Sequence, residues 1–110
     1  MSTIADEKKP DQTSPFDPIH PGEILQEEFM VPLGLSINKL ARELHVPPNR
    51  IDGIVHGRCS ITADTGLRLS TYFGVSPETW INLQSGYDLR AARLALGDET
   101  AKAIRRRDTT

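Results

Sequence analysis

Residues 36–58, SINKLARELHVPPNRIDGIVHGR, leave the chain few folds to choose from. Ile37, Leu40, Ala41 and Leu44 recur at i, i+3, i+4 and i+7, the spacing of one helix face. Ser36 precedes that face and suits its cap, because a hydroxyl can accept an N–H that has no partner in the first turn. Only His45, Val46 and Pro47 separate this stripe from the next helix. Pro48 fits the first helical position, where no N–H is needed. Ile51, Ile54 and Val55 supply a second inward stripe, and Gly57 can take the left-handed geometry that closes a helix. Two short amphipathic helices joined by so short a turn are the signature of a helix-turn-helix.

Asn49, Arg50, Asp52, Gly53 and His56 lie off the second stripe and are expected to face outward. Arg and Asn pair bidentately with guanine and adenine edges in a major groove, which makes this face the candidate base-reading surface. Asp52 is also a candidate to hold Arg50 in place. The helix N-termini at Ser36 and Thr62 would present backbone N–H groups to phosphates, with Asn38, Lys39 and Arg58 flanking them. Lys39 and Arg58 are the side chains expected to supply affinity independent of sequence. Any αα-hairpin with a solvated polar face shows the same two stripes, so DNA binding does not follow from the periodicity alone.

The charge pattern bears on that question. A net charge of −2 excludes a generally sticky polycation, so any DNA affinity must come from a local patch. Residues 1–35 hold two lysines and seven acids, a net of −5, whereas residues 36–58 come to +2. Residues 59–96 balance at zero and residues 97–110 come to +1. Positive charge thus concentrates on the proposed groove-binding element. At 110 residues the chain is expected to form one domain with tails, and 37% hydrophobic content fits unstructured ends. No signal peptide and no membrane-length apolar run is evident, so the expectation is a cytoplasmic protein that does not engage the membrane. A single cysteine cannot form an internal disulfide and is consistent with a reducing compartment.

Taken in order, residues 1–18 are polar, interrupted by Pro10 and Pro15, and read as a disordered tail whose Phe16 or neighbouring Ile19 tacks onto the core. His20-Pro21-Gly22-Glu23 opens a first helix that Pro32 and Gly34 end, with Glu27 and Glu28 on an acidic face. After the helix-turn-helix, Thr62 caps a fourth helix whose Leu67, Leu69, Tyr72 and Phe73 are expected in the core, and Gly74 stops it. Ser76-Pro77-Glu78 starts a fifth helix carrying Trp80, Ile81 and Leu83 inward, with a possible kink at Gly86. Leu89, Leu94 and Leu96 leave an apolar face that a monomer does not cover, which marks them for dimerisation. The expected domain therefore spans 19–96, and 97–110 reads as a frayed C-terminal tail.

The series VPPNRI, IVHGR, ITADT, LRLSTYFG, SPETWINLQ and YDLR resembles the HigA antitoxins, a branch of the phage-repressor-like helix-turn-helix proteins. The similarity runs from about residue 20 to residue 96. It implies an all-α, five-helix repressor-like domain with flexible tails. It further implies an antitoxin that binds a HigB/RelE-like mRNA-cleaving toxin and represses its own operon as a homodimer on double-stranded operator DNA. Three positions depart from the family pattern. His45 stands where Gly is usual, Ile37 where a DNA-contacting Gln is common, and Cys59 follows Arg58 where a second basic residue is frequent. His is among the few non-Gly residues enriched at positive φ, so the turn can survive.

Other chemistry has little to stand on. His45, His56 and Cys59 are near in sequence, but their spacing does not match compact zinc patterns, so no metal is expected. Cys59 has a His nearby but no orienting third group, and no glycine-rich phosphate loop is present, so neither an enzyme nor a cofactor is expected. Two alternatives share most of these features: a stand-alone repressor without a toxin, and a protein-interaction bundle that has lost DNA binding.

Overall fold

The computed structural model describes residues 18–107, and all its regular elements are helices. α1 occupies residues 21–33, α2 Ile37–Leu44, α3 Pro48–Val55, α4 Ala63–Phe73 and α5 Pro77–Ala103. Residues 19–88 form one compact unit; the remainder of α5 belongs to a second.

α1 begins where expected but does not stop at Pro32. His20 caps it, Nδ1 accepting the Gly22 N–H at 2.9 Å, and Pro21 takes the first turn. Residues Leu25–Met30 then widen into a π-helical register, the Val31 N–H reaching back to the Gln26 carbonyl. A proline inside an α-helix lacks the N–H and crowds the carbonyl four residues back. The wider register lies immediately before Pro32, where that difficulty would fall, and helix resumes over Val31–Leu33. Gly34, at φ 65°, ends it.

The helix-turn-helix forms as its sequence dictates. Ser36 Oγ accepts the Lys39 N–H at 3.0 Å. At the other end of α2, His45 takes the left-handed conformation (φ 60°, ψ 45°). The His45 N–H donates to the Arg42 carbonyl at 3.2 Å and the Val46 N–H to that of Ala41 at 3.0 Å, the paired bonds of a Schellman closure. Ala41 and Val46 are both buried, which adds the apolar contact that accompanies such a closure. His45 therefore does the work usually left to glycine. Pro47 and Pro48 launch α3 directly from this turn.

Leu25, Leu40, Ile51, Ile54, Leu69 and Trp80 are fully buried and join α1 to α5 in one core. Phe29 lies with its ring centroid 4.9 Å from Phe73 and 5.0 Å from Trp80. Two leucine-type expectations for α4 fail: Leu67 and Tyr72 are exposed, while Thr65 and Gly66 are buried. The inward face of α4 runs through Thr65, Leu69 and Phe73, and Gly66 is small because Ile81 and Trp80 approach it. Ile19 is exposed, and Phe16 lies outside the described residues.

Gly86 does not kink α5. Its interruption is at Gly97 (φ 80°, ψ 159°), and residues beyond it are again helical to Ala103 rather than frayed. Within this second unit Leu89, Leu94, Leu96 and Ile104 are all exposed. No helix among the described residues is long and apolar enough to cross a membrane.

Candidate nucleic-acid interface

The first turn of α3 is the centre of the candidate surface. Asn49 and Arg50 are exposed there, because Ile51, Ile54 and Val55 commit the opposite face to the core. Two open grooves flank this turn. One is lined by Ser36, Ile37, Asn38, Pro48, Asn49 and Asp52, at the N-terminus of α2. The other is lined by Asn49, Arg50, Cys59, Ser60, Thr62, Asp64 and Thr65, at the N-terminus of α4. The recognition turn thus sits between two helix N-termini, each with a positive dipole end suited to a phosphate. Ser36 and Thr62 spend their hydroxyls as caps, on the N–H groups of Lys39 and Thr65 (3.0 and 3.3 Å). The N–H groups of the residues between each cap and its donor are left for an anion.

Gly53 is not part of this surface. It is buried, and the chain folds back over it after α3, with the N–H groups of Arg58 and Cys59 both donating to the Gly53 carbonyl at 2.7 and 3.0 Å. A Cβ at this position would come within 2.5 Å of Cys59 Sγ, so the small residue lets the Cys59 side chain lie close over this turn of α3. Ile37 is half-buried against the core and has no polar atom to offer the groove it lines.

Asp52 does not hold Arg50; its partners are His56 and Arg58. Residues two apart on a helix do not face one another, whereas residues four apart do. Asp52 accordingly approaches His56, at 3.2 Å from its Nδ1, and binds Arg58 through Oδ2. His56 Nδ1 also lies 2.9 Å from the Asp52 carbonyl oxygen. Arg58 remains exposed although paired, and Lys39 makes a loose pair with Glu43 at 3.4 Å. Exposed pairs of this kind are weak and can exchange for phosphate.

Arg50 is held from a different helix. Asp64, in the first turn of α4, accepts from Arg50 Nη1 at 3.1 Å and from Arg68 Nε at 2.9 Å. The hydrogen bond from Arg68, aided by both nearby guanidiniums, holds the Asp64 carboxyl below its usual range. The i, i+4 spacing of Asp64 and Arg68 was a legible signal for this pair; their reach to Arg50 was not. Gln84 is the other side chain that pattern reading passed over. It is buried, its Oε1 accepts the Ile61 N–H at 2.8 Å and its Nε2 donates to Asp88 at 2.9 Å. That bridge fixes the loop that leads from α3 into α4.

Comparison with known proteins agrees with this geometry. A helix-turn-helix family model matches residues 27–80. Virulence-associated protein I of Dichelobacter nodosus is 55% identical over 74 residues, which cover 67% of this chain and 68% of that protein. An addiction module antidote protein of the HigA family from Coxiella burnetii superimposes with a TM-score of 0.77 at 46% identity, covering 83% of this chain and 99% of that one. Antitoxin HigA of Pseudomonas aeruginosa, solved with the higBA promoter, gives a TM-score of 0.77 at 42% identity over 80% of this chain and 96% of its own.

Proposed function

Because the chain belongs to the helix-turn-helix family of the HigA antitoxins, we propose that it represses its own operon and neutralises a HigB/RelE-like mRNA-cleaving toxin. The observation that carries the DNA half is the exposed Asn49–Arg50 turn set between the N-termini of α2 and α4. Asn49 and Arg50 read base edges, with His56 at the far end of α3. Arg58, Lys39, Asn38 and the capped helix starts at Ser36 and Thr62 grip the backbone. Such work places the protein in the cytoplasm.

One recognition helix spans too few base pairs for useful discrimination, so the repressor acts as a homodimer on a two-fold operator. Half-site centres then lie about one helical turn apart, roughly 34–36 Å, or a multiple of it. The exposed Leu89, Leu94 and Leu96 supply the apolar face for that pairing.

Base reading and backbone holding separate on mutation. Arg50→Ala should cost about 1–3 kcal/mol on the operator and relax preference at one position per half-site. Arg58→Ala should weaken operator and scrambled duplex alike and lower the salt slope by about one unit per lost phosphate contact. Binding of both variants to both duplexes across a salt series is the test. Equal losses for Arg50→Ala on the two duplexes would leave it a phosphate contact only.

For the toxin, the acidic face of α1 is the proposed docking surface, since Glu23, Glu27 and Glu28 are exposed on it and RelE-like toxins are generally basic. The acidic N-terminal tail, residues 1–18, is proposed to assist; residues 1–17 lie outside the described part of the chain. Charge steering of this kind raises the association rate and weakens with salt. Neutralising Glu27 and Glu28 should slow complex formation at low salt; an unchanged rate would move the contact elsewhere.

A further inference from the structure

Asp64 is out of place on a surface that meets DNA. A carboxylate in the groove shared with Asn49 and Arg50 repels phosphate, so it must serve another purpose or cost affinity. Its Oδ2 accepts from Arg50 and Arg68 together. Arg68 in turn donates through Nη1 to the Leu44 carbonyl at 2.8 Å and the His45 carbonyl at 3.3 Å, at the very end of α2. A continuous polar line therefore runs from α2 through α4 to the exposed cation of α3. It bridges the turn of the helix-turn-helix from outside the motif.

We propose that Asp64 is a positioning residue for sequence recognition: it holds the Arg50 guanidinium in the attitude that meets a base edge, and Arg68 anchors Asp64 to the end of α2. The proposal rests on the reading of Arg50 as a base contact. A guanidinium has five N–H donors in a fixed fork, and Nη1 alone is engaged among the described residues. The rest of the fork stays available for a guanine edge. An arginine already buttressed gives up less side-chain freedom on docking than one free in water. Two guanidiniums against one carboxylate leave the group with a net positive charge, so attraction to DNA survives. The pair is also open to solvent, with 42% and 56% of the two side chains exposed, so it contributes little to folding and can be removed without loss of the domain.

The test compares Arg50→Ala, Asp64→Ala, Asp64→Asn and the Arg50→Ala/Asp64→Ala double variant on a duplex of the chain's own promoter and on a scrambled duplex, with melting temperature as a control. Asp64→Ala should melt like the parent, bind scrambled DNA as tightly or more tightly, and lose about fivefold or more of its promoter preference. Asp64→Asn, which keeps an acceptor oxygen, should lose less, and it stands in if the alanine variant proves unstable. With Arg50 already removed, removing Asp64 should cost no further preference. Equal tightening on both duplexes, or an undiminished loss in the Arg50→Ala background, overturns the positioning role. If Arg50→Ala lowers preference and neither Asp64 variant does, the positioning role falls and the base-reading role of Arg50 stands. If Arg50→Ala leaves preference intact, both fall.

Discussion

Gly22→Ala should strongly destabilise this domain, although alanine is the better helix former. Gly22 is buried at the start of α1, directly against the last turn of α3. A Cβ there would lie 2.6 Å from the Ile54 carbonyl carbon and 3.0 Å from Val55 Cα, with the Ile54 carbonyl oxygen nearer still. Non-bonded carbons prefer about 3.5–4.0 Å, so α1 would have to withdraw from α3 by roughly 1 Å or more. These are backbone atoms of α3 and cannot rotate aside. Overpacking alone costs about 1–3 kcal/mol, occasionally more. A withdrawal of that size also opens gaps along the contact with Leu25, and a 0.5–1 Å gap forfeits about a quarter to a half of each dispersion well. The opposing gain from replacing glycine in a helix is only about 0.4–1 kcal/mol. The clash wins, for a net loss of about 3 kcal/mol or more. A domain this size loses about 4–8 °C of melting temperature per kcal/mol, so the midpoint should fall by roughly 12 °C or more. Far-UV circular dichroism melts would measure it. Gly86→Ala is the matched control: it is exposed, lies within helical backbone of α5, and a Cβ there meets nothing within 4 Å, so the same propensity gain should appear unopposed as a slight rise in midpoint. A Gly22→Ala variant that melts at or above the parent would refute the close approach of α1 to the recognition helix.

Gln84→Ala leaves the buried Ile61 N–H without its acceptor and should cost about 1–3 kcal/mol, read as a lower denaturant midpoint at unchanged slope; an unmoved midpoint would show that the loop does not depend on it. His20 caps α1 through an unprotonated Nδ1, and burial holds its pKa below the ordinary 6.5 against the opposing pull of Asp88. The unfolded chain therefore takes up the proton first, so this contribution is full above about pH 6.5 and declines as pH falls through the window just below it. His20→Asn should flatten that part of the stability profile, and an equally steep profile in the variant would assign the dependence elsewhere. Leu94→Glu on the exposed face of α5 should shift a homodimer to monomer in sedimentation equilibrium, and an unchanged mass would remove this face from the dimer interface.

Periodicity and caps made most of the fold legible, and the exceptions have identifiable physics. The stripes of α2 and α3 and the caps at Ser36 and Thr62 depend on residues close in sequence, so short-range rules suffice for them, whereas the left-handed turn at His45 was marked by the resemblance to the HigA antitoxins. Pro32 read as a stop because a proline normally ends a helix; a six-residue π register lies before it, and no propensity scale anticipates that. Leu67 and Tyr72 read as core because they are large, yet the inward side of α4 runs through Thr65, Gly66, Leu69 and Phe73, with Trp80 and Ile81 close upon Gly66. Hydrophobic size does not say which face a neighbouring helix will occupy.

The candidate site was legible to the same depth and failed at the same place. Outward residues of α3 could be assigned from angle alone, and Asn49, Arg50 and His56 are exposed as that reasoning requires. Gly53 escaped it because its burial comes from Cys59, a residue beyond the helix that folds back across it. Charge partners escaped it more thoroughly. Asp52 is two residues from Arg50 and looks like its natural mate on paper, but the helix turns about 200° between them and gives Asp52 to Arg58 and His56. Arg50 is then left to a carboxylate fourteen positions away, on another helix. The helix-turn-helix itself is thus written locally, while the attitude of its most informative side chain depends on the helix that packs behind it. If Arg50 reads a base as proposed, a residue outside α3 can alter sequence preference without touching a base.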